Sequence, residues 1–286
     1  MKKIIALALA MVMVLGLFAA CTTTEENKGT TGTTTAATTG ETTGETTGET
    51  TGATTELKTI VEGKLTMSTN AAFPPYEMTT DDGGFEGIDV EIATAIATKL
   101  GLELEILDMD FDAALLAVNE GKSDIVMAGV TVNEDRKLVM EFTDSYATGV
   151  QVVIVKEGSD VTMDNLGEKM IGAQRGTTGY IYASDSPENG GYGEDHVIAY
   201  DNGMTAVQAL KNGQVDCVII DSAPAAEFVK ANPGLTTLDG EWVTENYAIG
   251  CDKGNTALVE AINGALKELI ADGTVQTIID KYITAE

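Results

Sequence analysis

The stretch Asp89-Val-Glu-Ile-Ala-Thr-Ala-Ile-Ala-Thr-Lys-Leu-Gly101 decides the architecture. Its apolar residues Val90, Ala93, Ile96, Ala97 and Leu100 recur at steps of three and four, the spacing of one helix face. Asp89 is of a type that caps a helix start, and Gly101 of a type that stops one. Strand-like runs flank it, Lys64–Thr69 (KLTMST) before and residues 102–107 after. Strand, helix, strand at this spacing predicts a mostly parallel sheet with helices on its faces. A second helix from Asp112 through Val118, closed by Gly121, leads to a buried apolar strand over 124–128. A further set follows, with strands over 151–155, 170–173, Val197–Tyr200 and 215–220. Its helices begin at Thr177, cover 204–211 and follow Ser222, and the chain ends in helices over 257–271 and Thr274–Tyr282. Two α/β sets in succession predict two lobes, and clefts between lobes are where small ligands bind.

Outward from this core the composition changes. Residues 22–55 are almost entirely Thr, Gly, Ala and Glu, with Gly-Glu-Thr-Thr starting at Gly40, Gly44 and Gly48. Lacking aromatic or large aliphatic residues, the segment has nothing to bury and is expected to be disordered. As a coil it would average roughly 30 Å end to end, a flexible tether. Ahead of it, Lys2 and Lys3 precede an uncharged run over 4–20 that ends in Ala19-Ala20 before Cys21. A basic start, an apolar segment and small residues at the cut describe a secretory signal over 1–20. The alternative is a retained membrane helix, although the run is at the short edge of the roughly 17–25 residues a bilayer requires. On either reading the remainder sits on the extracytoplasmic face, held at the membrane.

A formal charge of -28 argues against nucleic acid or anionic lipid as partner, since both require basic patches. Cys217 and Cys251 lie in apolar strand-like runs. They read as two separately buried small hydrophobes, with a disulfide as the alternative in an oxidising compartment. The single histidine, His196, speaks against a His-centred metal site or a Ser-His-Asp triad. No metal and no cofactor is expected.

Three segments carry candidate chemistry. Residues 127–136 (MAGVTVNEDR) run a strand out at Ala128-Gly129 and open a helix, with Thr131 as a cap and Glu134 completing a capping box. The helix start and Arg136 together favour an anion there. The alternative is an exposed arginine pairing with Glu134 or Asp135. Residues 172–179 (GAQRGTTG) repeat the design, with Thr177-Thr178 opening a helix. Asp221 directly follows the strand VDCVII; a carboxylate there faces a cleft or caps the next helix. A free amino acid needs this set: a bidentate donor for its carboxylate and a carboxylate for its ammonium.

Beyond these, Gly87-Ile-Asp-Val-Glu-Ile92, with Ile96-Ala97 and Leu100, resembles the signature of the family 3 bacterial solute-binding proteins. The pieces around it are similar to that family as well: residues 69–77 (TNAAFPPYE), 109–112 (MDFD), 131–136, 141–144 (EFTD), 176–178 and 218–221. In order and spacing they span about 57–282. Cys21 after a small pair resembles a bacterial lipobox, whose thiol takes a diacylglycerol; Phe18 stands where Leu is usual. The resemblance implies a two-lobed, type II periplasmic-binding-protein-like α/β fold. Lobe 1 would comprise 56–147 plus 247–286 and lobe 2 148–246, with crossings near 146–150 and Val243–Tyr247.

The function implied is that of an amino-acid-binding lipoprotein, a monomer delivering its ligand to ABC permease subunits. Arg136 would hold the carboxylate, helped by Thr131 and by backbone at Gly129 and Thr178. Asp221 would hold the ammonium. Phe73 and Phe111 would sandwich the side chain, and Asn70 would hydrogen-bond a polar one. Gln174 and Ile220 are neutral where glutamine-selective relatives carry Lys and His. Asn70 stands where cation-selective relatives often place acids, while Glu77 and Asp110 offer partners to a basic side chain. The expected ligand is therefore a polar or basic amino acid. A sensory module would look the same from this chain. A lyase on this fold would need a general acid near the site, and His196 lies away from every matched segment.

Overall fold

The structure is a computed structural model and describes residues 57–283. The expected signal over 1–20, Cys21 and the tether to residue 55 lie outside the described residues. The chain opens with β1 (Lys64–Thr69), followed by a small antiparallel sheet of β2 (Ala72–Phe73), β3 (Glu77–Thr79) and β4 (Phe85–Glu86). Then come α1 (Ile88–Leu100), β5 (Glu103–Asp108), α2 (Phe111–Asn119), β6 (Ile125–Val126), α3 (Glu134–Val139) and β7 (Met140–Phe142). The long strand β8 (Ala147–Lys156) leads into β9 (Ile171–Gln174), α4 (Thr178–Ser184), β10 (Val197–Tyr200) and α5 (Gly203–Asn212). After these stand β11 (Cys217–Asp221), α6 (Ser222–Ala231), β12 (Leu235–Thr237) and β13 (Val243–Tyr247). The described chain closes with β14 (Gly250–Asp252), α7 (Thr256–Ala271) and α8 (Thr274–Tyr282).

Two larger sheets result, one per lobe. The first has the order β5-β1-β6-β14-β7, parallel on both sides of β1 and antiparallel on both sides of β14. The second has the order β10-β9-β11-β8-β12, with β13 also paired to β8. Here β9, β10 and β11 run parallel, while β8, β12 and β13 are antiparallel to their neighbours. The expected mostly parallel sheets are thus parallel only in part. The antiparallel strands of the second sheet include those that change sheet: β8 leaves the first sheet after β7, and β13 returns the chain to β14. The first sheet is accordingly assembled from two separate stretches of sequence. Two crossing strands side by side permit bending while fixing register.

Why α1 packs as it does follows from its spacing. Ile92, Ala93 and Ile96 are fully excluded from solvent, in one hydrophobic cluster with Leu65 and Met67 of β1, Ile262 of α7 and Ile278 of α8. Each fully buried isoleucine contributes about 1.5–3 kcal/mol. Gly101 closes the helix in the left-handed conformation, its N–H reaching back to Ala97 and Thr98. The helix start differs from the expectation. Gly87 occupies the cap position, at φ 131°, and a Cβ there would collide with the Tyr76 carbonyl. Asp89 lies in the first turn, and its carboxylate turns inward to accept the Gly129 N–H at 2.9 Å. Cys217 on β11 and Cys251 on β14 are both buried and unbridged, in different sheets.

Candidate functional site

A cavity lies where strands of both sheets end, the kind of place where small ligands bind. All eight ligand-contact residues expected from sequence line it, together with Glu77, Gln151, Gln174 and the strand residue Ile220. Arg136 is 7 % exposed. Its Nη1 donates to the Thr131 carbonyl at 2.8 Å and its Nη2 to the Gly176 carbonyl at 3.1 Å. The guanidinium also lies over the Phe111 ring, 5.4 Å from its centroid. Burial pulls its pKa down, and the Glu245 carboxylate acts in the opposite sense. Neither Glu134 nor Asp135 pairs with it; Glu134 takes Lys137 at 2.8 Å instead. A guanidinium held by two carbonyls keeps further N–H donors for an anion.

The cap of α3 corrects the expectation. Asn133 precedes the helix and accepts the Arg136 N–H at 2.8 Å. Thr131 is diverted because it forms a bridge with Tyr247 of β13, and its hydroxyl donates to Glu245 at 3.1 Å. Gly129 borders the cavity, but its N–H is already given to Asp89, so it presents a carbonyl acceptor, suited to an ammonium rather than a carboxylate. Thr178 is the first residue of α4, capped by Thr177, whose hydroxyl accepts the Tyr180 N–H at 3.3 Å. First-turn N–H groups have no intrahelical acceptor and point at the cavity end of the helix.

Asp221 ends β11, across the cavity from α3. It occupies the cap position of α6 without a side-chain cap bond, and one oxygen accepts Gln151 Nε2 at 2.7 Å. The other oxygen has no well-formed hydrogen bond, with the Tyr247 hydroxyl beside it. Burial pushes its carboxyl up to about 7; Glu245 adds to this, while Tyr247 and Gln151 pull it back. Gly149 of β8 is what lets these groups converge, since a Cβ there would collide with the Tyr247 hydroxyl and Asp221 Oδ1. Gln151 bridges two acids, donating also to Glu245 at 3.0 Å.

Phe73 and Phe111 are both buried against the cavity. Asn70 is spent within the protein. Its amide donates to the Met109 carbonyl and accepts Gln174 Nε2, each at 2.9 Å, the latter joining the two lobes. Asp110 is exposed at the cap of α2 and does not line the cavity. Glu77 does line it and is fully buried. His196 stands in a separate surface depression beside residues 180–195.

Glu245 and Gln151 were not legible as site residues. A polar Gln within VQVVIVK is a faint signal, and Glu245 in VTENY carries none. Both reach the site only because β8 and β13 pair, with Asp221 opposite Gln151 in the register.

Residues 65–285 match the family model described as bacterial extracellular solute-binding proteins, family 3. A probable histidine-binding protein of Neisseria gonorrhoeae is 33 % identical over 231 residues, 77 % of this chain and 83 % of that protein. The L-cystine-binding protein TcyJ of Escherichia coli K12 is 29 % identical over 228 residues, 78 % of this chain and 84 % of that one. Among solved structures, the arginine-, lysine-, histidine-binding protein ArtJ of Geobacillus stearothermophilus superposes with a TM-score of 0.72 at 31 % identity. That match covers 78 % of this chain and 96 % of ArtJ.

Proposed function

The chain belongs to the family 3 bacterial extracellular solute-binding proteins, and from that premise we propose that it binds a free polar or basic amino acid between its lobes and delivers it to an ABC permease. One observation carries the reading: a guanidinium with unused donors and a carboxylate with an unpaired oxygen face one buried cavity from opposite lobes. Arg136 takes the α-carboxylate in the planar fork geometry that suits it, with Thr131 and the first turn of α4 at Thr178 beside it. Asp221 takes the α-ammonium, together with the Gly129 carbonyl. Phe73 and Phe111 flank the side chain. The Gln174–Asn70 and Arg136–Gly176 hydrogen bonds tie the lobes across the cavity. The ligand adds contacts to both, which favours the closed arrangement.

The lobe boundaries proposed are 56–147 plus 247–286 for the first and 148–246 for the second, the crossings being β8 and β13. The domain works as a monomer outside the cytoplasm, anchored by a diacylglycerol on Cys21 at the end of a Thr-rich tether. Metabolic labelling with a palmitate analogue tests the anchor: wild type takes up label and Cys21→Ala does not. Equal labelling of both, or none of either, would overturn it. The binding reading is tested by a thermal-shift panel of the common amino acids on the full-length chain. A ligand at 100 times its Kd adds about 2.7 kcal/mol to stability. A panel in which no amino acid shifts the transition sinks the reading.

A further inference from the structure

The main-chain grip leaves Glu77 unaccounted for. It is fully buried, lines the cavity, and neither of its oxygens has a hydrogen-bond partner. Asp89 of α1, also fully buried, has Oδ2 on the Gly129 N–H and Oδ1 without a partner. The groups facing this pair from neighbouring elements are acids and phenols: Asp108 at the end of β5, Tyr76 next to Glu77, and Tyr146 ahead of β8. Two carboxylates so placed cannot both ionise cheaply. A proton held between them satisfies both. In keeping with that, burial and then Asp89 and Asp108 raise the Glu77 carboxyl well above the usual carboxylate range, and burial raises Asp89 to about 6. Arg136 is the one cation lining the cavity among the described residues, and the α-carboxylate takes its spare donors.

We propose that Glu77 selects the ligand's side chain, and that this chain takes an amino acid with a cationic one, guanidinium or ammonium. The ligand's N–H donors fill the Glu77 oxygens in exchange for the proton shared with Asp89. The proposal rests on the amino-acid reading above. The exchange balances: the ligand enters with its charge, Glu77 becomes a carboxylate, and one proton leaves to buffer. An anionic side chain would meet two carboxyls. An apolar one would leave the shared proton where it is and gain nothing from Glu77. Aromatic faces at Phe73 and Phe111 flank a cation favourably.

The test is isothermal titration of the full-length chain with L-arginine, L-lysine, L-glutamine and L-leucine in two buffers of different ionisation enthalpy. Arginine or lysine should bind at least tenfold more tightly than glutamine, and release close to one proton more than glutamine does. Glu77→Gln should cut the cation-to-glutamine ratio at least tenfold and abolish the extra release. Asp89→Asn, which replaces the proton partner by an amide donor, should shrink that release and keeps the test open if Glu77→Gln does not fold. A preference for glutamine or leucine, or a cation preference that Glu77→Gln leaves intact, overturns the assignment while the amino-acid reading stands. Failure of every amino acid to bind overturns both.

Discussion

Arg136 and Glu77 are both buried, both line the same cavity, and yet are supported in opposite ways. Arg136 arrives with its position fixed by two carbonyls, an aromatic ring and a neighbouring carboxylate. Glu77 arrives with no N–H or hydroxyl donor from the protein, only a proton to share with Asp89. A buried charge with excellent partners is preorganised, whereas an unsatisfied one costs free energy until something fills it. The main-chain end of the cavity is therefore a finished receptor for groups every amino acid has. The side-chain end is a demand for donors that only some ligands meet.

Breaking the finished end should have the largest effect. Arg136→Ala removes a charge-assisted bidentate pair, and affinity for any amino acid should fall about a thousandfold, read by titration calorimetry. Next is Asp221→Asn, expected to cost about a hundredfold. The wild-type pH profile sharpens that prediction. Asp221 titrates near 7 in the ligand-free protein and must be ionised to receive an ammonium. Affinity for glutamine, which takes no proton from Glu77, should hold above about pH 7 and fall up to tenfold per unit below it, and Asp221→Asn should flatten the profile.

The stability of the ligand-free protein gives a smaller signature of opposite sign. Raised folded-state pKa values at Asp221 and Asp89 mean that protonation favours the folded protein. That contribution is complete below the ordinary carboxylate range and is lost as pH rises through about 6 to 7. Ligand-free Tm should therefore climb as pH falls from 8 to 6, less so in Asp221→Asn. Glu77→Gln should lose little stability, since burial keeps the Glu77 carboxyl uncharged in the ligand-free protein and the amide is an uncharged group of the same shape. The smallest expected effect is at the cap of α3. Asn133→Ala should cost about 1 kcal/mol by chemical denaturation and loosen Arg136 only secondarily.

The sequence displays these two regions unequally. Elements that depend on local spacing are readable to the residue, as at Lys64–Thr69, Val197–Tyr200 and Thr274–Tyr282. So are residues in motifs, and all eight that the sequence nominates border the cavity. What escapes depends on distant chain. Thr131 has the chemistry of a cap, but its bridge to Tyr247, 116 positions later, leaves capping to Asn133. Asp89 has the same chemistry and is drawn instead to Gly129. Asn70 reads as a side-chain contact until Gln174 claims it from the other lobe. Glu245 and Gln151 become site residues through strand pairing alone.

The central claim is that the cavity grips the α-carboxylate and α-ammonium of an amino acid. Titration of the full-length chain with L-arginine and then with agmatine, which keeps the guanidinium and lacks the carboxylate, tests it most directly. Binding of arginine with agmatine weaker by about a thousandfold is the predicted result. Agmatine binding as tightly as arginine would contradict it.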